Sequence, residues 1–160
     1  MALPHVSTNT LSGMIETIAA SPNNGVSDLA TLGRELQMEA DELLPITETL
    51  QLMRFVEMAG RTVRLTAPAK RYDAADMDER KQIFARHLLA YVPLAAHIRR
   101  VLDDRASHQA PATRFRDELE DFMSEEYAEE TMDAVVSWGR FAEIFAFDED
   151  DDRFSLDDPA

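Results

Sequence analysis

The sequence predicts a mainly α-helical chain with small β-hairpins (α+β), organised as two winged-helix-like units joined by central helices. Three observations predict it. A helical pattern over residues 42–57 runs straight into a short hairpin pattern ending at Leu65. A second helical pattern over residues 129–143 runs into a longer hairpin pattern ending at Leu156. The two share a plan: Arg54-Phe55-x-Glu57 matches Arg140-Phe141-x-Glu143, and Ile46/Met132, Leu50/Val136 and Phe55/Phe141 hold one apolar register. A helix leading directly into a two-stranded hairpin, after an earlier helix and a tight turn, is the winged-helix arrangement. The expected division is 5–75 for the first unit and 76–158 for the central helices and second unit.

Each element has a local reason. Ser7 is placed to cap a first helix whose inward stripe is Leu11, Met14, Ile15 and Ile18. Ser21-Pro-Asn-Asn-Gly25 stops it with strong turn residues. Ser27 is read as the cap of a short helix carrying Leu29, Leu32 and Leu36. A third helix begins between Glu39 and Asp41, with Pro45 near enough to its first turn to be tolerated. Its stripe is Leu43, Ile46, Leu50 and Met53. Phe55 to Met58 and Thr62 to Leu65 then flank Ala59-Gly60-Arg61 as a hairpin. Thr66 to Ala75 reads as a short helix or turn.

Asp76-Met-Asp-Glu79 has capping-box spacing and opens a helix with Ile83, Phe84 and Leu88 inward. Pro93 starts the next, and Arg105 to Pro111 is the clearest loop. Phe115, Leu119 and Phe122 mark a further helix, and Ser124 caps the last, with Met132, Val135, Val136 and Trp138 on its inner side. Phe145-Ala-Phe147 and Phe154-Ser-Leu156 are the arms of the second hairpin. The expected core therefore includes Phe55, Phe84, Leu88, Phe122, Met132, Val136, Trp138 and Phe141. Trp138-Gly139 reads as core packing in which glycine allows a close approach.

Composition narrows the function. Thirty-one acidic residues against 16 basic ones leave a net charge of −15. Phosphate backbones and anionic headgroups repel such a chain at long range. With no cysteine, disulfides, thiol catalysis and Cys-based zinc sites are excluded, which fits a cytoplasmic chain. The longest apolar run, from Leu88 to Ala96, is broken by Pro93, so no direct membrane insertion is expected. The amino terminus lacks the basic flank and apolar run of a signal peptide.

No constellation carries chemistry. The four histidines lack metal-ligand spacing, the glycines form no phosphate loop, and no nucleophile set or carboxylate pair stands out. Asp148-x-Asp150-x-Asp152 opens like a calcium loop, but Arg153 and Pro159 stand where glycine and glutamate are needed. The expectation is no catalytic residue, no cofactor and no metal. Both candidate recognition helices are acidic: residues 39–53 hold Glu39, Asp41, Glu42 and Glu48 and no base, and the second wing tip is Asp148-Glu-Asp-Asp-Asp152. Duplex DNA needs cations for its phosphates and Arg, Lys, Asn or Gln for its base edges, so nucleic acid is not the expected partner. Arg54, Arg61, Arg64, Lys70 and Arg71 cluster in and after the first wing with only Glu57 among them. The reading that the bulk charge favours is a solvated hairpin that complements the acidic remainder; the alternative is a contact for a partner or a phosphate group.

Leu3-Pro-His-Val-Ser7, Glu79-Arg-Lys-Gln-Ile-Phe-Ala85 and Trp138-Gly-Arg-Phe-Ala-Glu-Ile-Phe-Ala-Phe-Asp148 together resemble the AAA-associated C-terminal domain. That domain follows the ATP-binding cassette in some ATPases of the nitrate/sulfonate/taurine/bicarbonate class of ABC importers. The resemblance runs from about Leu3 to Leu156 and is most specific in its last segment. It implies a cytoplasmic, non-catalytic accessory or regulatory role beside a transporter ATPase, peripheral at the inner membrane through the transporter. It also implies a protein partner, an ABC transporter ATPase, and a homodimer, because such ATPases work in pairs. The family brings no catalytic set to transfer. Since these residues include no nucleotide-binding domain, the expectation is a free-standing relative or the tail of a longer protein. The alternative reading is a winged-helix DNA-binding transcription regulator that uses the basic first wing.

Overall fold

A computed structural model describes residues 2–156; the expected boundary at residue 158, and Pro159, lie outside them. In chain order the elements are α1 (Thr8–Ala19), β1 (Val26–Asp28), α2 (Leu29–Leu36), α3 (Ala40–Leu52), β2 (Val56–Ala59), β3 (Thr62–Leu65), α4 (Ala67–Ala74), α5 (Met77–Tyr91), α6 (Pro93–Asp104), β4 (Gln109–Pro111), α7 (Ala112–Glu120), α8 (Glu125–Ala142), β5 (Ala146–Asp148) and β6 (Arg153–Ser155). The chain is mainly α-helical, with its strands in two small antiparallel sheets. It divides into two compact units. One is Val6–Ile83; the other combines residues 2–5 with 84–156.

The unit Val6–Ile83 is built on α1. Ser7 caps that helix by accepting the Thr10 N–H at 3.2 Å, and its four expected stripe residues are almost wholly buried. They face a sheet of order β1-β3-β2 and the helices α3 and α4. In β3, Val63 and Leu65 point into the core while Thr62 and Arg64 point outward, the alternation a half-buried strand requires. Tyr72 on α4 packs its ring 5.7 Å from that of Phe55, and its hydroxyl shares a 2.7 Å hydrogen bond with Ser12. Burial raises the Tyr72 pKa, and the Ser12 bond opposes that shift.

The second unit repeats the order helix–strand–helix–helix–strand–strand with α6, β4, α7, α8, β5 and β6, and its sheet order, β4-β6-β5, corresponds. Its centre is α8, with Trp138 fully buried, and an aromatic cluster. Phe154 lies 4.8 Å from Phe145, 4.9 Å from Phe147 and 5.6 Å from Phe115, measured between ring centroids. Edge-on pairs of this kind add to the apolar burial.

Several expectations need correction. Ser27 does not cap α2. It lies buried in β1, and Asp28 takes that role, accepting the Thr31 N–H at 2.8 Å. The loop read between Arg105 and Pro111 ends in β4. Both β1 and β4 add a third strand to what the pattern gave as a two-stranded hairpin. Pro45 is the sixth residue of α3, past the first turn, and the helix runs on through it. Phe122 is not core: α7 ends at Glu120, and Phe122 follows in a turn, 86% exposed. Val136 and Phe141 are only half-buried, Phe141 lying edge-on to Phe84 at 5.2 Å.

The register of the repeat is also corrected. Arg54 and Glu143 are the left-handed residues that end α3 and α8. The next amide reaches back identically in each, Phe55 N–H to the Leu50 carbonyl and Ile144 N–H to the Gly139 carbonyl. Leu43 therefore pairs with Met132, Ile46 with Val135, Leu50 with Gly139, Met53 with Ala142 and Phe55 with Ile144, and every one of these residues is buried. The expected pairing was about one helical turn out. Such a slip keeps an apolar stripe on nearly the same face, so periodicity alone cannot detect it.

Candidate interaction surface

The corrected register makes the two units comparable position by position. In each, the hairpin turn is tied to the start of the second helix. Leu29 N–H donates to the Arg61 carbonyl at 2.9 Å, and Ala112 N–H donates to the Asp152 carbonyl at 2.8 Å. Arg61 and Asp152 are thus equivalent; counting on from Leu29 and Ala112, Gly33 matches Arg116, and the α3/α8 register above matches Ala40 with Glu129. In each unit a groove opens beside this turn, lined by the second and third helices.

In the second unit that groove is bridged by charge. Arg116 on α7 grips Asp152 in bidentate fashion, Nη2 lying 2.9 Å from Oδ1, and its Nε reaches Glu129 Oε2 at 3.0 Å. The hydrogen bonds from Arg116 hold the Asp152 carboxyl below its usual range, and the bonds to Asp152 raise the Arg116 pKa. Both groups are therefore charged at neutral pH. The cleft of about 560 Å³ beside them has a polar, mixed-charge rim of His5, Asp133, Arg140 and Glu149. In the acidic turn between β5 and β6, Asp148 accepts the N–H groups of Asp150 and Asp151, and Arg140 pairs with Glu149 at 3.3 Å. Among the described residues, no group of three or more His, Cys, Asp or Glu side chains is placed to hold a metal ion.

The first unit lacks the bridge because its three positions are Gly33, Ala40 and Arg61. Its groove, about 500 Å³, has an apolar floor from Leu29, Met38, Leu43 and Leu44, with Arg34 and Arg61 at the rim and Glu39 as the one acid. Gly33 is constrained here, since a Cβ would lie 3.0 Å from the Met38 carbonyl oxygen. Leu44 is 45% exposed and so offers apolar surface. Arg61 has no ion-pair partner among the described residues.

The five basic residues Arg54, Arg61, Arg64, Lys70 and Arg71 are spread over the β2–β3 hairpin and α4. Arg54 sits at the α3–β2 junction, where its carbonyl accepts the Thr66 hydroxyl at 2.8 Å. Arg61 occupies the opposite end of β2, roughly 13 Å away by strand rise. Arg64 lies between them on the outward face, flanked by Glu57 and Val26. Lys70 and Arg71 are exposed on α4, the Lys70 stem lying beside Gly25. Of the five, only Arg61 lines the groove. The sequence reading missed Gly33, Arg34, Ala40, Leu44 and the Arg116–Asp152 bridge. Each acquires meaning only when the two units are compared in the correct register.

No helix among the described residues is long and apolar enough to cross a membrane. No curated protein and no solved structure matches the chain significantly. One protein-family model does match, over residues 30–148, a stretch that begins inside α2 and ends with β5. The chain accordingly belongs to the family of the C-terminal AAA-associated domain, an accessory domain of ATPases.

Proposed function

We propose that this chain is a non-catalytic regulatory domain acting on the ATP-binding subunit of an ABC importer of the nitrate/sulfonate/taurine/bicarbonate class. It works in the cytoplasm, held at the inner membrane through the transporter. It takes no cofactor, and it acts by protein–protein contact, including pairing with a second copy of itself. The family match carries the accessory role. The open groove of the first unit supports contact with a protein, because an apolar floor with two arginines at its rim suits an apolar segment bearing acids. Acidic recognition helices and a net charge of −15 disfavour phosphate.

The test is the ATP turnover of such a subunit with and without this domain. The domain is expected to change the rate severalfold while turning over no ATP alone, and Arg61→Glu is expected to weaken the effect. An unchanged rate together with no detectable binding would count against the reading. So would submicromolar, sequence-selective binding of duplex DNA at ~150 mM salt that is lost on replacing Arg61 and Arg64 with Glu, since non-specific binding is typically only ~10⁻⁴–10⁻⁶ M.

A further inference from the structure

We propose that the groove of the first unit receives the turn around Phe122 from a second copy of the chain. This rests on the protein-interaction reading above and names the occupant of that surface. Phe122, in the turn between α7 and α8, is 86% exposed, and Tyr127, in the first turn of α8, is 58% exposed. The segment that carries them is strongly acidic. Glu120, Asp121, Glu125 and Glu126 precede the two aromatic residues in sequence by one or two positions, and no base occurs from Asp117 to Gly139. In a chain of net charge −15, a groove with two arginines and one acid at its edge is the complementary surface. Its floor of Leu29, Leu43 and Leu44 is apolar, and its volume of about 500 Å³ has room for an aromatic side chain.

The two units differ in the way this pairing needs. The equivalent groove of the second unit is spanned by Arg116, Asp152 and Glu129, whereas the first leaves Gly33, Arg61 and Ala40 in those places. The second unit's cleft stays open but has a mixed-charge rim with Asp133 and Glu149, so the apolar, arginine-rimmed acceptor exists once per chain and the donor turn once per chain. Each copy therefore carries one donor and one acceptor, and the turn of one copy fills the groove of another. An aromatic side chain buries about 150–250 Å², so one contact alone falls far short of a standard interface of ~1,600 Å². The association is therefore weak in the isolated domain, and joining the domain to a subunit that already pairs would raise its effective concentration.

Sedimentation equilibrium from ~10 µM to ~1 mM is the direct test, covering the range of weak association. The chain is expected to associate over this range. Phe122→Ala and Arg61→Glu, both at exposed positions, are each expected to weaken association about tenfold or more while leaving the circular dichroism spectrum unchanged. Mixing the two variants restores one intact contact, Phe122 of one chain with Arg61 of the other, so the mixture is expected to associate where neither variant does. A chain that stays monomeric to ~1 mM, association unaffected by both substitutions, or a mixture no better than its parts would each overturn the proposal. A monomer that still alters ATP turnover refutes the pairing and spares the regulatory reading. An associating chain without effect on turnover does the reverse.

Discussion

Trp138→Ala is expected to destabilise the second unit by about 3–5 kcal/mol, the range for removing a large aromatic side chain from a packed core. Trp138 is wholly buried on α8, which packs against α6, α7 and β5. Its truncation leaves a cavity walled by several elements, which cannot all collapse inward. The first unit offers a comparison, because the residue equivalent to Trp138 is Thr49. That threonine is also buried, and its hydroxyl donates to the Pro45 carbonyl at 2.7 Å. Loss of that bond in Thr49→Ala should cost only about 1 kcal/mol. Urea denaturation followed by far-UV circular dichroism checks both, since Trp138 is the only tryptophan and the variant loses that fluorescence signal. With two units the transition in Trp138→Ala is expected to split, the second unit unfolding first. A shift well under 1 kcal/mol would contradict this packing.

The next largest effect is expected from Gly139→Ala, and its sign is the informative part. In an exposed helix interior this change stabilises by about 0.8–1 kcal/mol, because alanine is the better helix former. Here a Cβ would sit 2.1 Å from Phe145 Cζ and 2.6 Å from two further ring atoms. The ring cannot easily withdraw, because it packs edge-on against Phe154 and is itself buried. Overpacking of this kind costs about 1–3 kcal/mol or more, enough to reverse the propensity gain. Combining Gly139→Ala with Phe145→Leu should recover part of the loss, because the smaller side chain vacates the Cβ position. Chemical denaturation of the two single variants and the double variant measures that coupling. A neutral or stabilising Gly139→Ala would show that Phe145 does not lie against α8.

These two residues also show what the sequence could and could not reveal. Trp138-Gly139 was legible as core packing with a close approach, because a large apolar side chain on a helical stripe beside a glycine has few other uses. Helix caps at Ser7 and Ser124, and both hairpins, were legible from local chemistry. The third strands were not. Val26–Asp28 and Gln109–Pro111 are three residues long, too short for an alternating pattern to emerge, and their pairing partners lie far along the chain. Phe122 misled because 115, 119 and 122 have helical spacing, although α7 stops between the second and third of them. Its acidic neighbours, Glu120, Asp121, Glu125 and Glu126, were the available sign of exposure. The basic first wing was visible as composition. That Arg61, alone of those five cations, lines the first unit's groove, and that Arg116 places an ion-pair bridge beside the second unit's cleft, depends on contacts between distant residues that no local pattern encodes.

Docking is expected to use the open groove of the first unit and not its bridged counterpart in the second. The absence of cysteine makes this measurable, since a single thiol can be placed at will. Ala40 and Asp133 are both exposed, each lining one groove. The labelling rates of Ala40→Cys and Asp133→Cys chains can be compared alone and with the ATP-binding subunit and excess cysteine-free chain present. Labelling is expected to slow severalfold at position 40 and to stay unchanged at 133. Protection at 133 alone, or equal labelling at both sites in the presence of the partners, would contradict it.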